Sequence, residues 1–550
     1  MHEHHILTVE QMYRVDELAL AHVESSFALM QNAAAAACKE VLLELPDKAT
    51  VGILCGAGNN GGDGFVLASL LLSEGISVVC VFCALAKTLD NLSGDAQLAY
   101  QQFVNTGGSA LLTLDDLLID TSETLQGSPQ GIPKGIPQVI PKALANCELL
   151  VDAVLGAGLS RPVSGQLATL FDAINRLRDK SSTRVISIDL PSGISGNSAQ
   201  VCDCALQADV TVTFFRQKPA HLLYPGRAYC GDIRVRDIGI PTDVLESIDV
   251  ALFENHPGLW QSGFPVPDYT DHKYRRGHVL VQSGPAHATG AARLAAHAAL
   301  RAGAGVVTMT SDADATGINT AHLTEVMQRT ITFDGAFEQC LIDNRFDSVV
   351  LGPGNGISSS LNNRVSFAIQ HCRHVVLDAD AISAYSPIGQ ETPATLFNLI
   401  KENSASVVMT PHDAEFERLF GNIDDVTKQS DKVSRVRAAA NISGAIVVLK
   451  GADTVIAEPN GHTVINTGAS PWLATAGSGD VLAGTIAALL AQYRLGDRST
   501  FLNEALNATC IAVWMHSRAA TLAGPGLIAG DLPLQYRDVI QELISKPAVC

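Results

Sequence analysis

Short apolar runs recur along nearly the whole chain, most of them closed by Gly, Pro or Asp, with stretches of helical spacing between them. The first half holds TVGILC (Thr50–Cys55), SVVCVFCA (77–84), ELLVDAVLG (148–156), RVISIDLPSG (184–193) and DVTVTF (209–214). The second half holds GHVLVQSG (277–284), GVVTMTS, SVVLGPG, HVVLDAD, SVVMTPH and AIVVLKG. Runs that are apolar on both faces are strands buried on both faces, and helices between them make βαβ units and parallel sheets. The expected fold class is therefore α/β. At 550 residues the chain has room for two large domains. Residues 240–274 hold several prolines and no periodic run, so the divisions expected are 1–245, a junction at 246–274, and 275–550. GSPQGIPKGIPQVIPK (127–142) repeats a Gly/Pro pattern that sustains neither helix nor central strand and reads as a surface loop insertion.

The formal net charge of −19 argues against a grip on nucleic acid or on an anionic membrane. It does not argue against a phosphate-bearing small molecule, which backbone N–H groups at a helix N-terminus can hold. Among the 12 cysteines, Cys80 and Cys83 form the only CxxC, inside an apolar run. Positions three apart on a strand face opposite ways, so that pair cannot share a metal. No zinc set or disulfide framework is expected, and a reducing cytoplasm is the simplest setting. The start, MHEHHILTVEQM, lacks the apolar stretch of a signal peptide, and its histidines read as a flexible, partly ordered tail. The Ala33–Ala37 run is interface or core, and a homo-oligomer stays open.

The loop GAGNNGGDG (56–64) separates TVGILC from a helix. In an open parallel sheet, ligands bind beyond the carboxyl ends of strands. Glycine lets backbone approach a ligand closely, and the helix N-terminus attracts anions. A tight turn alone explains the glycines but not Asn59, Asn60 and Asp63. VDAVLGAGLSRP (151–162) places Asp152 at a second strand end, and SIDLPSG (187–193) places Asp189 and Ser192 at a third. Three oxygen-rich strand ends suit a hard cation, while each aspartate taken singly could be a helix cap.

Together, GAGNNGGDG, VDAVLGAGL and DLPSG closely resemble the N-terminal, YjeF-type domain of the bifunctional NAD(P)H-hydrate repair enzymes, over about the first 240 residues. The resemblance implies a Rossmann-like three-layer α/β/α domain that interconverts the R and S forms of hydrated NADH or NADPH. It implies K⁺ held by Asn60, Asp152 and Ser192. It implies a hydrate site made of Asn59, Asn60, Gly61, Gly62, Asp63, Gly156, Ala157, Gly158, Leu159, Ser160, Arg161, Pro162 and Asp189, with Asp189 as the acid/base group. The 127–142 insertion departs from the shorter family pattern.

In the second half, KGADT (450–454) follows AIVVLK, and GSGD (477–480) opens a long apolar helix. Glycine N–H groups there could stabilise a transferring phosphoryl group, with Asp480 poised to take a proton from an attacking hydroxyl. The alternatives are a helix cap for Asp480, a hairpin turn for KGADT and a backbone-satisfied helix start for His412.

This arrangement resembles the ribokinase-like fold. TPH (410–412), with TGAARLAA, LGPGNG, LDADA, KGADT and GSGD, is similar to the nucleotide-dependent NAD(P)H-hydrate dehydratases over roughly 275–545. The resemblance implies that Ala291, Gly354, His412 and Asp480 meet the hydrate. It implies that Lys450, Gly451, Ala452, Asp453, Thr454 and Gly479 meet the nucleotide, ADP or ATP, with Mg²⁺. Two local departures stand out: SGPAHATG (283–290) replaces a glycine–serine turn followed by an aromatic, and Asp413 and Ala414 replace proline and glycine after His412. A vitamin-precursor kinase with a non-catalytic N-terminal interaction domain is the alternative, and His412 in place of a kinase asparagine argues against it.

Overall fold

The computed structural model describes residues 2–46, 49–84, 89–108, 111–114, 142–159, 161–333, 335–343, 345–493 and 503–545. The 127–142 insertion lies almost wholly outside them, and Ser160 lies outside them too. The chain divides into two compact units, 2–250 and 251–550.

In the first unit seven strands pair in the order β3-β2-β1-β4-β5-β6-β7. They are β1 (Thr50–Cys55), β2 (Ser77–Phe82), β3 (Leu111–Thr113), β4 (Leu149–Ala153), β5 (Arg184–Ile188), β6 (Val210–Phe214) and β7 (Asp232–Arg236), and every pairing is parallel. Alternate residues of β1 enter opposite cores. Ile53 and Cys55 pack with Met30, Ala33, Ala34 and Phe65 from helices Ser26–Glu44 and Asn59–Ser73. Leu54 packs with Leu167, Leu170 and Phe171 from helix Gly165–Lys180. This is the three-layer α/β/α arrangement expected, and the Ala33–Ala37 run is core. Cys80 and Cys83 fall into these two separate cores, as their spacing requires. The N-terminal tail is a correction to expectation. His2–His4 forms a helical turn, His5, Ile6 and Leu7 are buried, and the Leu7 N–H donates to the Gln217 carbonyl. Ile6 and Leu7 are apolar enough to dock what looked like a polar tail.

The second unit holds a ten-stranded sheet in the order β11-β10-β9-β12-β13-β14-β15-β16-β17-β8. Its strands are β8 (Leu252–Glu254), β9 (His278–Gln282), β10 (Val306–Asp312), β11 (Met327–Ile331), β12 (Ser348–Leu351), β13 (His374–Leu377), β14 (Ser406–Met409), β15 (Ile446–Leu449), β16 (Thr454–Ala457) and β17 (Thr463–Asn466). Pairing is parallel except where β16 meets β15 and β17. KGADT is the turn between β15 and β16, so the hairpin reading of that motif holds structurally.

Residues inside the stretch expected as the junction pack into this unit. β8 pairs with β17, Trp260 is fully buried, and Asn255 accepts from Trp260 Nε1 and donates to Asn466 Oδ1 and the Cys510 carbonyl. Helix Ser478–Gln492 crosses helix Gly290–Arg301 so closely that a Cβ on Gly484 would lie 2.0 Å from the Ala295 carbonyl oxygen. Among the described residues no helix is long and apolar enough to cross a membrane.

Candidate active sites

The first site lies beyond the carboxyl ends of β1, β4, β5 and β6. Asp189 follows β5 with φ of 66°, a left-handed conformation that costs energy for any residue with a Cβ. Its backbone is pinned from both sides. The Asp189 N–H donates to the Val212 carbonyl, and His221 Nε2 lies 2.8 Å from the Asp189 carbonyl oxygen. His221 Nδ1 accepts from the Lys218 N–H at 2.9 Å, which leaves the proton on Nε2 to donate to Asp189. His221 is fully buried, and burial together with the nearby Lys218 charge pulls it down to about 4, so it stays neutral.

The Asp189 side chain is equally constrained. Oδ1 accepts from Lys218 Nζ at 2.6 Å and from Thr213 Oγ1 at 3.2 Å, and Oδ2 accepts from the Ala157 N–H at 3.0 Å. Burial pushes the carboxyl up, but the Lys218 ammonium and these hydrogen bonds outweigh it and hold Asp189 at about 2. Asp189 is thus a carboxylate at any physiological pH: a base and a partner for positive charge, with no proton of its own to give.

A cavity of about 1480 Å³ opens over this pair. Asn59, Asn60, Asp63, Gly156–Leu159, Arg161, Pro162, Asp189 and Lys218 line it, and so do Tyr13 and Asp16 from helix Val9–Ala19. Most residues expected at the hydrate site therefore meet on one surface. Gly61 and Gly62 do not line it. A Cβ on Gly61 would lie 1.9 Å from the Gly56 carbonyl oxygen, and one on Gly62 would lie 2.6 Å from Met30 Cε. Gly56 would likewise strike the Val154 carbonyl oxygen at 1.9 Å. These glycines let the helix start press against the sheet. Gly58, the helix N-cap, has open space around it. Asp63, half-buried in the first turns of the helix, is pushed well up by burial and by the charges of Asp189 and Asp16.

Beside this cavity is an oxygen-rich knot. Fully buried Asp152 accepts at Oδ1 from Ser192 Oγ (2.5 Å) and the Val154 N–H (3.3 Å), and at Oδ2 from the Ser192 N–H (2.7 Å) and Ser187 Oγ (2.9 Å). Ser192 Oγ also accepts from the Leu155 N–H. Burial raises Asp152 and these bonds draw it only partly back. None of this is helix capping. Asn60 is different: both of its side-chain amide atoms are buried without a hydrogen-bond partner, and its side chain lies against Gly156 close to Asp189. An orphaned buried amide close to the Asp189 carboxylate offers oxygen chemistry that a hard cation accepts. Among the described residues no group of three or more His, Cys, Asp or Glu is arranged around a metal position, so any ion there would rest on amide, hydroxyl and carbonyl oxygens as well.

The second site lies beyond β9 and β12–β15. Gly354 (φ 66°) and Ala291 are adjacent, a Cβ on Gly354 lying 3.5 Å from that of Ala291. Lys450, just after β15, places Nζ 2.7 Å from Asp378 Oδ1 and 3.9 Å from Glu415 Oε2. Thr410 Oγ1 holds the same Asp378 oxygen at 2.6 Å. Burial pulls Lys450 down, but Asp378, Glu415 and Asp480 raise it, so it remains charged. Gly479 leaves room for it, since a Cβ there would lie 3.2 Å from Lys450 Nζ. Asp480 makes no capping bond to its helix, whose N-cap is Gly477. Burial and the neighbouring Asp378 push Asp480 up to about 7 against the pull of Lys450.

His412 does cap a helix: Nδ1 accepts from the Ala414 and Glu415 N–H groups, as the bland reading held, and the ring stays half-exposed, with Nε2 3.4 Å from Glu415 Oε1. Of the KGADT residues, Asp453 is held by Lys432 at 2.6 Å and Thr454 closes the turn onto Gly451, while Gly451 and Ala452 are exposed. The sequence reading assigned no role to Lys218, Asp16, Tyr13, His221 or Asp378. Only Asp378 sits inside a motif quoted from the sequence.

Each unit matches a known family. The family profile described as NAD(P)H-hydrate dehydratase matches residues 279–541, and that of the YjeF-related protein N-terminus matches residues 26–220. The chain is 35% identical to the bifunctional NAD(P)H-hydrate repair enzyme of Thermofilum pendens over 85% of this chain and 83% of that one. It is 30% identical to the Synechocystis enzyme of the same name, over 94% and 90% of the two chains. The crystal structure of an ADP/ATP-dependent NAD(P)H-hydrate dehydratase from Bacillus subtilis superimposes on 54% of this chain and 99% of its own, with 23% identity and a TM-score of 0.44.

Proposed function

Because the chain belongs to the family of bifunctional NAD(P)H-hydrate repair enzymes, we propose that its first unit interconverts the R and S hydrates of NADH and NADPH. The second unit dehydrates the S form at the expense of ADP, giving AMP and phosphate. The observation that carries the first half is the buried Asp189–Lys218 pair facing a cavity large enough for a dinucleotide.

In the epimerase half, the hydrate bears its hydroxyl on the carbon beside the ring nitrogen. The nitrogen lone pair expels that hydroxyl and leaves a flat cation. The Asp189 carboxylate lies where it can stabilise the cation and accept a proton from water re-adding on either face. The helix start at Gly58–Asn60 offers N–H groups for phosphate. Asn60, Asp152 and Ser192 would hold K⁺, which when bound would supply a fixed positive charge in the site.

In the dehydratase half, hydroxide is a poor leaving group and phosphate a good one. Asp480 takes the proton of the ring hydroxyl as that oxygen attacks the terminal phosphoryl group of the nucleotide. The ring nitrogen then expels phosphate, and the neighbouring ring carbon loses a proton to restore the dihydronicotinamide. Lys450 and the amides around Gly479 neutralise the transferring group. Mg²⁺ supplies further charge neutralisation when bound. Asp480 and Asp380, neighbouring carboxylates with no ion pair among the described residues, would be available to hold it. Ala291, Gly354 and the free edge of His412 contact the hydrate, and Gly451 and Ala452 the nucleotide; ATP remains an alternative donor.

The charge of −19 supports small-molecule partners over nucleic acid or membrane. The thin spread of cysteines along the sequence supports a reducing cytoplasm. The test is incubation of the full chain with the R hydrate and ADP. The dihydronicotinamide absorbance should return faster than the uncatalysed conversion of R to S allows. Return with the S hydrate alone would sink the epimerase half, and no return with either form would favour the kinase alternative.

A further inference from the structure

Moving a hydroxyl from one face of a ring to the other needs two proton carriers. One must hand a proton to the hydroxyl that leaves, and another must take one from the water that adds. Asp189, held by Lys218 at 2.6 Å, can take a proton but has none to give. The donor must face the same cavity.

Asp16 lines that cavity with Asp189 and Lys218. It sits on helix Val9–Ala19, whose buried face, Met12, Val15 and Ala19, anchors it against the core. Its carboxyl has no hydrogen bond or ion pair with another described residue. Burial pushes it up to about 6, against the pull of the Lys218 ammonium and with a push from Asp189. The other groups facing it are Tyr13 and Glu17 on its own helix, Asp63 and Asp95 from the helices that follow β1 and β2, and Arg161. Asp63 is the competitor. Burial and the negative charges of Asp189 and Asp16 push it well up, so its anion is poorly supported. Asp16 has the ammonium that its anion needs.

We propose that Asp16 is the second catalytic residue of the epimerase site, protonating the departing ring hydroxyl while Asp189 deprotonates the incoming water. The carbon–oxygen bond breaks with its electron pair on oxygen, the Asp16 proton completes a water molecule, and the ring nitrogen lone pair forms the carbon–nitrogen double bond. A water oxygen then bonds to the same carbon on the opposite face and its proton passes to Asp189. The proton on Asp189 returns to Asp16 through cavity water, with Lys218 beside Asp189 as the relay, restoring the starting state. The reverse reaction retraces these steps: the Asp16 proton first passes to Asp189, which holds none at rest, and Asp16 then takes the proton of the adding water.

This inference rests on the epimerase reading of the cavity, and the experiment separates the two. Full-length wild-type, Asp16→Asn, Asp16→Glu and Asp63→Asn chains are assayed for interconversion of chromatographically resolved R and S hydrates of NADPH across pH. Dehydration of the S form and the thermal midpoint report folding. Asp16→Asn should lower kcat for epimerisation by about 100-fold or more with KM nearly unchanged and dehydration intact. The wild-type rate should fall as pH rises through about 6. Asp16→Asn should lose that limb, and Asp16→Glu should restore it in part. The proposal is overturned if Asp16→Asn epimerises like the wild type or keeps the limb, or if Asp63→Asn removes the limb instead. A wild-type chain that fails to interconvert the hydrates above the uncatalysed rate overturns the epimerase reading itself.

Discussion

Lys218 Nζ donates to Asp189 Oδ1 at 2.6 Å from a side chain only 3% exposed, and the same nitrogen donates to Thr213 Oγ1 at 2.9 Å. The pair joins the loop after β5 to the loop after β6, and it makes Asp189 an anion whatever the pH of the cell.

Removing one partner of such a pair leaves a buried charge without compensation. Lys218→Met should let Asp189 rise from about 2 and take up a proton. Stability should drop by about 3–5 kcal/mol, because a broken buried ion pair is costly. Epimerisation should slow by roughly two to four orders of magnitude. Denaturant titration and hydrate interconversion measure the two effects, and a variant as stable and active as the wild type would remove the pair from the mechanism.

Asp480 sits near half-protonation at neutral pH. A base must be ionised to act, so dehydration should rise as pH climbs through about 7 and level off above it. Asp480→Asn should reduce dehydration about a thousandfold while leaving epimerisation unchanged, and Asp189→Asn should do the reverse. If either change eliminated both activities in a folded chain, the assignment of one reaction to each unit would be wrong.

His412 combines a structural task with an exposed ring edge. Asparagine is a good N-cap, so His412→Asn should keep stability within about 0.5 kcal/mol while removing Nε2 from the site. Dehydration should then show a raised KM for the hydrate. His412→Ala should lose about 1 kcal/mol as well, from the missing cap.

The glycines of GAGNNGGDG divide by what surrounds them. Gly61→Ala forces a Cβ to within 1.9 Å of the Gly56 carbonyl oxygen and should cost about 1–3 kcal/mol or more. Gly58→Ala meets nothing within 4 Å and should be tolerated in stability. Thermal midpoints of the two variants check the contrast.

Asn60→Leu removes the orphaned buried amide. Epimerisation by this variant should no longer respond to exchange of K⁺ for Na⁺, whereas the wild type should slow in Na⁺. A wild-type rate indifferent to the monovalent cation would end the potassium proposal.

Much of this was legible in the sequence because parallel strands buried on both faces read as uninterrupted apolar runs, and their carboxyl ends carry the motifs. Asp152, Asp189 and Ser192 stood out as oxygen at the ends of such runs, and Asn60 as an amide that a glycine turn does not need. Asp16 and Lys218 did not. Asp16 occupies an ordinary polar position on an amphipathic helix, and Lys218 follows a strand by a few residues with no motif around it. Their meaning appears only when the fold carries residues 16, 189 and 218 to one cavity. Gly61 and Gly62 were legible as necessary, but the reason was hidden: their neighbours are the Gly56 backbone and Met30, not the ligand surface. The docking of Ile6 and Leu7 was obscured by the histidines before them.

β8 bears on any attempt to divide this protein in two. A chain begun at residue 275, where the strand pattern restarts, would lack Leu252–Glu254 and leave the backbone of β17 bare along the sheet margin. It would also strip away Asn255 and Trp260, and with them the donor to the Asn466 amide oxygen. An uncovered strand of that kind recruits others of its kind. A dehydratase fragment cut there should clump, and one cut just ahead of Ala251 should stay dispersed.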